Sequence, residues 1–206
     1  MSTDPQSNSE THTQAKSWLI PEQIETMRDA CLGESFPTYL QDRNETIVVV
    51  LADTGLRVGE LVALDWDLID LEADPGEIFL PNEIQKGSPG ASYIDLDDET
   101  SRQLRRYKNR RWKETEAVFP SRQSDRMTTR SVRNTIKRIA DVADVEPQLI
   151  EGGTGDASDV SPHTFRHSIA FRMIRREGKR LEDVQLRLRH KNLRTTDEIY
   201  GHLRRR

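Results

Sequence analysis

The chain has 206 residues, 31 Lys and Arg against 35 Asp and Glu, and 34% hydrophobic residues. That length suits one domain with a real core. No run of about 18 apolar residues offers a membrane span, the polar opening residues predict no secretory leader, and a single cysteine, Cys31, excludes an internal disulfide framework or a thiolate zinc cluster. A cytoplasmic protein is expected.

The net charge of -4 hides an uneven distribution. Residues 1–100 hold 5 basic and 21 acidic residues, and residues 101–140 hold 13 basic and 3 acidic. Residues 141–160 hold 6 acidic residues and no basic one, and residues 161–206 return to 13 basic against 5 acidic. Blocks of opposite sign suggest a face for a polyanion, although solvated helix faces would give the same pattern.

Residues 1–16 are polar, with no large apolar residue beyond Met1, and composition predicts that they are disordered. Residues 17–206 are expected to form one domain. Pro21 opens a first helix with Ile24, Met27 and Cys31 along one stripe. The β-branched run Ile47–Leu51 could be a strand, but its long polar lead-in and the closing Gly55 favour a buried helix. Arg57–Leu64 reads as a short helix, followed by an acidic loop over Asp65–Gly76. Short strands at Glu77–Leu80 and Tyr93–Leu96 flank the turn signal Lys86-Gly87-Ser88-Pro89-Gly90. Basic helices follow over Asp97–Trp112 and Thr128–Ala143. In the second, Val132, Ile136, Ile139, Ala140 and Ala143 share one face. A Gly- and Asp-rich loop spans 147–160. Three further helices are expected near 162–177, 181–189 and 194–203, giving a mainly α protein with a small antiparallel sheet.

The segment Ser161-Pro162-His163-Thr164-Phe165-Arg166-His167 carries the most chemistry. Ser161 is the expected N-cap and Pro162 the first helical residue. His163 then lies beside unpaired backbone N–H groups, where anions bind, with Arg166 one turn along. His163 and His167, four residues apart, could chelate zinc, but Thr164 stands where a zincin has glutamate and no third ligand is evident. Arg57 follows the Gly55 break, with Glu60 three residues on to hold its guanidinium. A second cluster, Leu188-Arg189-His190, precedes Tyr200. A tyrosine so placed is ordinarily packing.

Taken together, TGLRVGEL, the IQKG turn, SPHTFRH and RHKNLRTTDEIYGHL resemble the tyrosine recombinase (phage integrase) family in order and approximate spacing, over residues 18–206. The resemblance implies that family's catalytic-domain fold and its DNA strand transfer. Tyr200 would attack a phosphodiester to form a 3′-phosphotyrosyl link, and Arg57 and Arg166 would clamp the non-bridging oxygens. His163 would act as general acid or base, Lys86 would protonate the leaving 5′-oxygen, His190 would bond a phosphate oxygen and Glu60 would position Arg57. No cofactor is implied, neither ATP nor metal. The implied partners are double-stranded DNA and other protomers in a DNA-bound synaptic assembly, with no membrane, in a nucleoid-associated cytoplasmic setting. Phosphate contacts are expected from Arg102, Arg105, Arg106, Arg130, Arg133 and Lys137. The chain departs from the family pattern in two places. Arg189 stands where the family commonly has glycine, and Tyr200 follows His190 by ten positions rather than nine. The family's separate N-terminal core-binding domain is not expected within this sequence. The alternative reading is a DNA-binding relative without strand transfer, acting as a regulator or accessory factor.

Overall fold

A computed structural model describes residues 16–85, 90–190 and 193–201. Lys86, the C-terminal residues 202–206 and the polar residues 1–15 lie outside the described residues. Lys16, expected in the tail, already belongs to the fold, because its carbonyl accepts from Ile150 N at 2.9 Å.

The core forms around one helix. α1 (Pro21–Cys31) begins at proline, and α2 (Thr38–Thr54) buries the whole run Ile47–Leu51. The β-branched residues that suggested a strand are buried on every side of α2, because α1, α4 (Asp98–Arg110) and α6 (Pro162–Arg175) all pack against it. Tertiary packing here overrides β propensity. Glu45, 3% exposed on α2, is balanced by Arg28 of α1 at 3.3 Å and by Arg106 of α4. Such pairing is required of a buried carboxylate.

α2 ends where Gly55 takes the left-handed conformation, φ 59°, and donates its N–H to Leu51 O at 3.0 Å. The chain then turns into α3 (Val58–Ala63). Strands β2 (Ile69–Asp70), β3 (Glu77–Leu80) and β4 (Ser92–Asp95) form an antiparallel sheet in that order, with Ile69 opposite Ile78 and Ile78 opposite Ile94. The acidic segment read as loop therefore contributes an edge strand. Two residues of strand are too short for an alternation signal. Where the turn after β3 begins and ends, Gln85 donates to Leu80 O at 3.0 Å and to Gly90 O at 2.7 Å.

α5 (Thr129–Val142) starts at a reciprocal cap. Ser131 N donates to Thr128 Oγ1 at 3.1 Å, and Thr128 N to Ser131 Oγ at 2.8 Å. Its predicted stripe of Val132, Ile136, Ile139 and Ala140 is fully buried against α1 and α3. Within the Gly-rich loop, β5 (Gln148–Leu149) pairs with β1 (Ser17–Trp18). β1 in turn fixes α6: Ser17 Oγ bonds Thr164 Oγ1 at 3.0 Å, and Leu19 N donates to Ser168 Oγ at 2.8 Å. α7 (Leu181–Leu188) and α8 (Leu193–Tyr200) close a second, smaller core of Ile169, Ala170, Ile174, Leu181, Val184, Leu188 and Tyr200.

Gly55 sits where the two cores meet. A Cβ there would approach Ile169 Cδ1 to 2.8 Å and Leu188 Cδ2 to 3.2 Å, on top of the left-handed backbone. Gly55→Ala is expected to destabilise the fold by about 2–4 kcal/mol, combining backbone and overpacking costs. Urea denaturation measures this; a loss below about 1 kcal/mol would contradict the packing described.

Candidate active site

The site is built where three chain breaks converge: the end of α2, the start of α6 and the end of α7. A buried guanidinium must spend its donors on fixed acceptors, and helix ends supply carbonyls that no N–H of the same helix uses. Arg166, 4% exposed, donates Nη1 to Gly55 O after α2, and Nη2 to Leu188 O at the end of α7, 2.6 Å away. Arg57 donates Nη2 to the next carbonyl, Arg189 O, at 3.1 Å, and Nη1 to Glu60 Oε1 at 2.6 Å. Consecutive carbonyls of one turn thus anchor both arginines named from sequence.

That turn has an unusual residue at its centre. Arg189 adopts φ 53°, ψ 46°, and His190 N reaches back to Gln185 O at 3.0 Å, closing a Schellman-type helix end. Left-handed backbone at a non-glycine residue costs about 1–2 kcal/mol. The Arg189 side chain folds inward, 9% exposed, and donates Nη2 to Glu60 Oε2 at 3.0 Å. Glu60, 1% exposed, also accepts Arg57 N on Oε2 at 2.8 Å. Its burial would raise the carboxyl, but Arg189 and then Arg57 hold it below the usual carboxylate range.

Cations crowd this corner. Arg166 is pushed below the usual guanidinium value by burial and then by Arg57 and Arg189, yet remains a cation at neutral pH. His190 bonds Thr196 Oγ1 at 2.8 Å, and burial followed by Arg166, Arg57 and Arg189 pushes it down to about 4. Tyr200, 2% exposed, stacks parallel to His190 at 6.5 Å between ring centroids and shares a 2.6 Å hydrogen bond with His167 Nδ1. Burial raises its phenol, opposed by Arg166. His167 is pushed down to about 4 by burial, then by His163 and Arg166. His163 itself is exposed in the first turn of α6, after Ser161, whose N–H donates to Thr164 Oγ1 at 2.9 Å.

The structure therefore brings together Arg57, Glu60, Arg166, His190 and Tyr200, with His163 one helical turn from His167. Lys86 lies outside the described residues. Sequence reasoning missed His167 as a partner of Tyr200, although its position one turn after His163 put it on the same helix face. It also missed Arg189 as a member of the cluster. Of the six basic residues expected to meet phosphates, all are exposed. Arg105 is already spent on Leu71 O and Arg106 on Glu45, leaving Arg102 on α4 and Arg130, Arg133 and Lys137 on α5 as the better-placed ones. Among the described residues, no three His, Cys, Asp or Glu side chains gather as a metal site, including around His163 and His167.

Chemically, the arrangement is an oxyanion cradle of fixed guanidiniums beside imidazoles and a phenol, on a mainly helical domain. Such a set can hold a phosphate-like anion beside a phenol. The chain belongs to the phage integrase family, whose model matches residues 17–206. It is 31% identical over 175 residues to the tyrosine recombinase XerD of Pseudomonas aeruginosa, covering 82% of this chain and 52% of XerD. To the tyrosine recombinase XerA of Thermococcus kodakarensis it is 33% identical over 169 residues, covering 80% and 51%. The chain thus spans about half the length of these curated relatives. Among solved structures, a XerA recombinase superposes with a TM-score of 0.69 at 23% identity, over 92% of this chain and 65% of that one. The XerH site-specific recombinase in its pre-cleavage complex with difH gives 0.70 at 19%, over 91% and 50%. At those identities the likeness is one of fold, and it bears out the mainly helical domain with small antiparallel sheets.

A pH dependence follows. His167 and His190 bind protons near pH 4 when folded and near about 6.5 when unfolded. Their folded values are depressed, so the stabilisation is complete above about pH 6.5 and is lost as pH falls toward 4. Unfolding free energy is expected to drop by about 1–3 kcal/mol between pH 7.5 and 5, measured by urea denaturation. A flat profile would contradict the buried, neutral histidines.

Proposed function

We propose that this chain is the catalytic domain of a tyrosine recombinase, which cuts and rejoins duplex DNA through a 3′-phosphotyrosyl intermediate. The observation that carries the reading is the pinned pair Arg57 and Arg166 beside Tyr200. Two guanidiniums fixed by backbone carbonyls need no reorganisation when charge builds on a pentacoordinate phosphorus, which is where preorganised donors contribute most.

In this reading Tyr200 Oη attacks the phosphorus and the bond to the 5′-oxygen breaks. The phenolic proton passes to His163, and Lys86 delivers a proton to the departing 5′-oxygen. His190 bonds a non-bridging oxygen, and Glu60 keeps Arg57 in plane. One phosphoester replaces another, so rejoining reverses the step with neither ATP nor a metal. Tyr200 is 2% exposed and its hydroxyl is engaged by His167. A near-attack distance of about 3–3.5 Å therefore requires α8 to present the phenol to the cradle once DNA is bound. Duplex DNA is the proposed substrate, with Arg102, Arg130, Arg133 and Lys137 on its phosphates. In this reading other protomers join it in a synaptic assembly; a lambda integrase, whose fold this chain shares at a TM-score of 0.63, is solved as a dimer bound to a core site.

The test is a pool of nicked duplexes with a randomised centre, from which covalent protein–DNA adducts are recovered in parallel reactions run with Mg²⁺ and with EDTA. Wild-type protein is expected to form adducts and Tyr200→Phe none. Arg57→Ala and Arg166→Ala should each slow adduct formation by about 10²-fold or more. If the wild-type chain forms no adduct in either, the non-recombining alternative replaces this reading; adducts that form with Mg²⁺ but not with EDTA would overturn metal independence.

A binding prediction accompanies it. Arg133→Ala is expected to weaken duplex binding uniformly across sequences and to reduce the log–log salt slope by about 0.9. Fluorescence anisotropy across a salt series reads this, and an unchanged slope would remove α5 from the DNA face.

A further inference from the structure

The Arg189 side chain is the feature that the reading above leaves unused. It occupies a left-handed backbone position that glycine would take without strain, and it places a third guanidinium beside Arg57 and Arg166. Repulsion among these cations and burial of Arg189 Nε without a partner both oppose that placement. Arg189 Nη1 donates to Arg187 O at 3.2 Å, and among the described residues the one opposite charge it meets is Glu60: Arg189 Nη2 binds Glu60 Oε2 at 3.0 Å, while Arg57 Nη1 binds Glu60 Oε1 at 2.6 Å. The ring then closes through the backbone, because Arg57 Nη2 donates to Arg189 O at 3.1 Å.

We propose that Arg189 is a positioning residue for strand cleavage: it locks Glu60 from the far side, so that the plane of the Arg57 guanidinium is fixed at the phosphate. The proposal rests on the strand-transfer reading for its consequence, though not for its geometry. Without Arg189, Glu60 keeps Oε2 on the Arg57 N–H at 2.8 Å and Oε1 on Arg57 Nη1 at 2.6 Å, both within its own turn, and among the described residues no bond from another element to the carboxylate limits how it and the guanidinium swing together. A carboxylate bridged to a second arginine, itself fixed by the α7 helix end, cannot swing in this way. Arg189 thereby acts on phosphate through Glu60 and Arg57, while its own carbonyl supplies part of the same lock.

The experiment compares Arg189→Gly and Arg189→Lys with wild-type protein. Glycine takes φ 53° freely, so the α7 turn survives and the carbonyls of residues 188 and 189 stay in place. Lysine returns a cation within reach of Glu60 without the fork. The first readout is NMR of arginine side chains, which follows rotation of the Arg57 guanidinium without DNA. Rotation is expected to be slow in wild-type protein, at least about tenfold faster in Arg189→Gly and slowed again in Arg189→Lys. The second readout is the rate of adduct formation on a duplex recovered from the randomised pool. At saturating DNA, Arg189→Gly is expected to lose about 10–100-fold in rate with the half-saturating DNA concentration unchanged, and Arg189→Lys to regain part of it.

Unchanged Arg57 rotation in Arg189→Gly overturns the proposal whether or not the protein recombines. A full cleavage rate in Arg189→Gly overturns it while leaving the strand-transfer reading intact. A rate that falls only in step with melting temperature assigns Arg189 to folding and likewise overturns it. If wild-type protein forms no adduct, the strand-transfer reading fails, and the rotation measurement alone decides whether Arg189 holds Arg57.

Discussion

Everything at the site depends on how the last turn of α7 is finished. A helix end leaves carbonyls without partners, and a guanidinium taken out of water needs acceptors in fixed places. Here the two needs meet: Leu188 O receives Arg166 and Arg189 O receives Arg57. The end of α2 contributes the same service through Gly55 O. Anchoring Arg166 on neutral carbonyls leaves its charge uncancelled, and the negative ends of two helix dipoles steady it. Among the described residues, Glu60 alone supplies a full negative charge in direct contact with the cluster, and it is shared by Arg57 and Arg189. The corner is therefore rigid and still electropositive, which is what an incoming phosphate requires.

The remainder of the fold sets where those helix ends lie. α2 is held from three sides, so its terminus at Gly55 is fixed by the main core. α7 is tied to that same helix by Arg187, which donates to Asp53 O and Oδ1 at 2.7 and 2.8 Å. β1 fastens the start of α6 through Ser17 and Leu19, so the spacing between His163 and Arg166 becomes a spacing between fixed points. α8 belongs to the smaller core, against α7 and α6. The residue proposed as nucleophile thus sits on the less extensively packed part of the molecule, while the anion cradle sits at its firm centre.

Much of this was legible in the sequence, for reasons tied to particular residues. Ser161-Pro162 announced α6, Gly55 the end of α2, and the Arg57–Glu60 spacing foretold their contact, because capping and one-turn pairing are local. The acidic strand β2 was hidden by its length of two residues. The fates of Arg105 and Arg106 were hidden because Leu71 and Glu45 are distant in sequence and near only after folding. Arg189 was visible as a departure from glycine, but its left-handed backbone and inward side chain follow from tertiary contact with Glu60. His167 was weighed as a zinc ligand beside His163; its bond to Tyr200 spans 33 positions, and no local rule could supply it.

The most direct test of the central claim is a structure of the chain with vanadate captured between the ends of a nicked duplex. The account predicts vanadate oxygens within about 3.2 Å of both Arg57 and Arg166, with Arg166 still on Leu188 O and Arg57 still on Arg189 O. Arginines that abandon those carbonyls to reach the vanadate, or vanadate bound away from them, would contradict it.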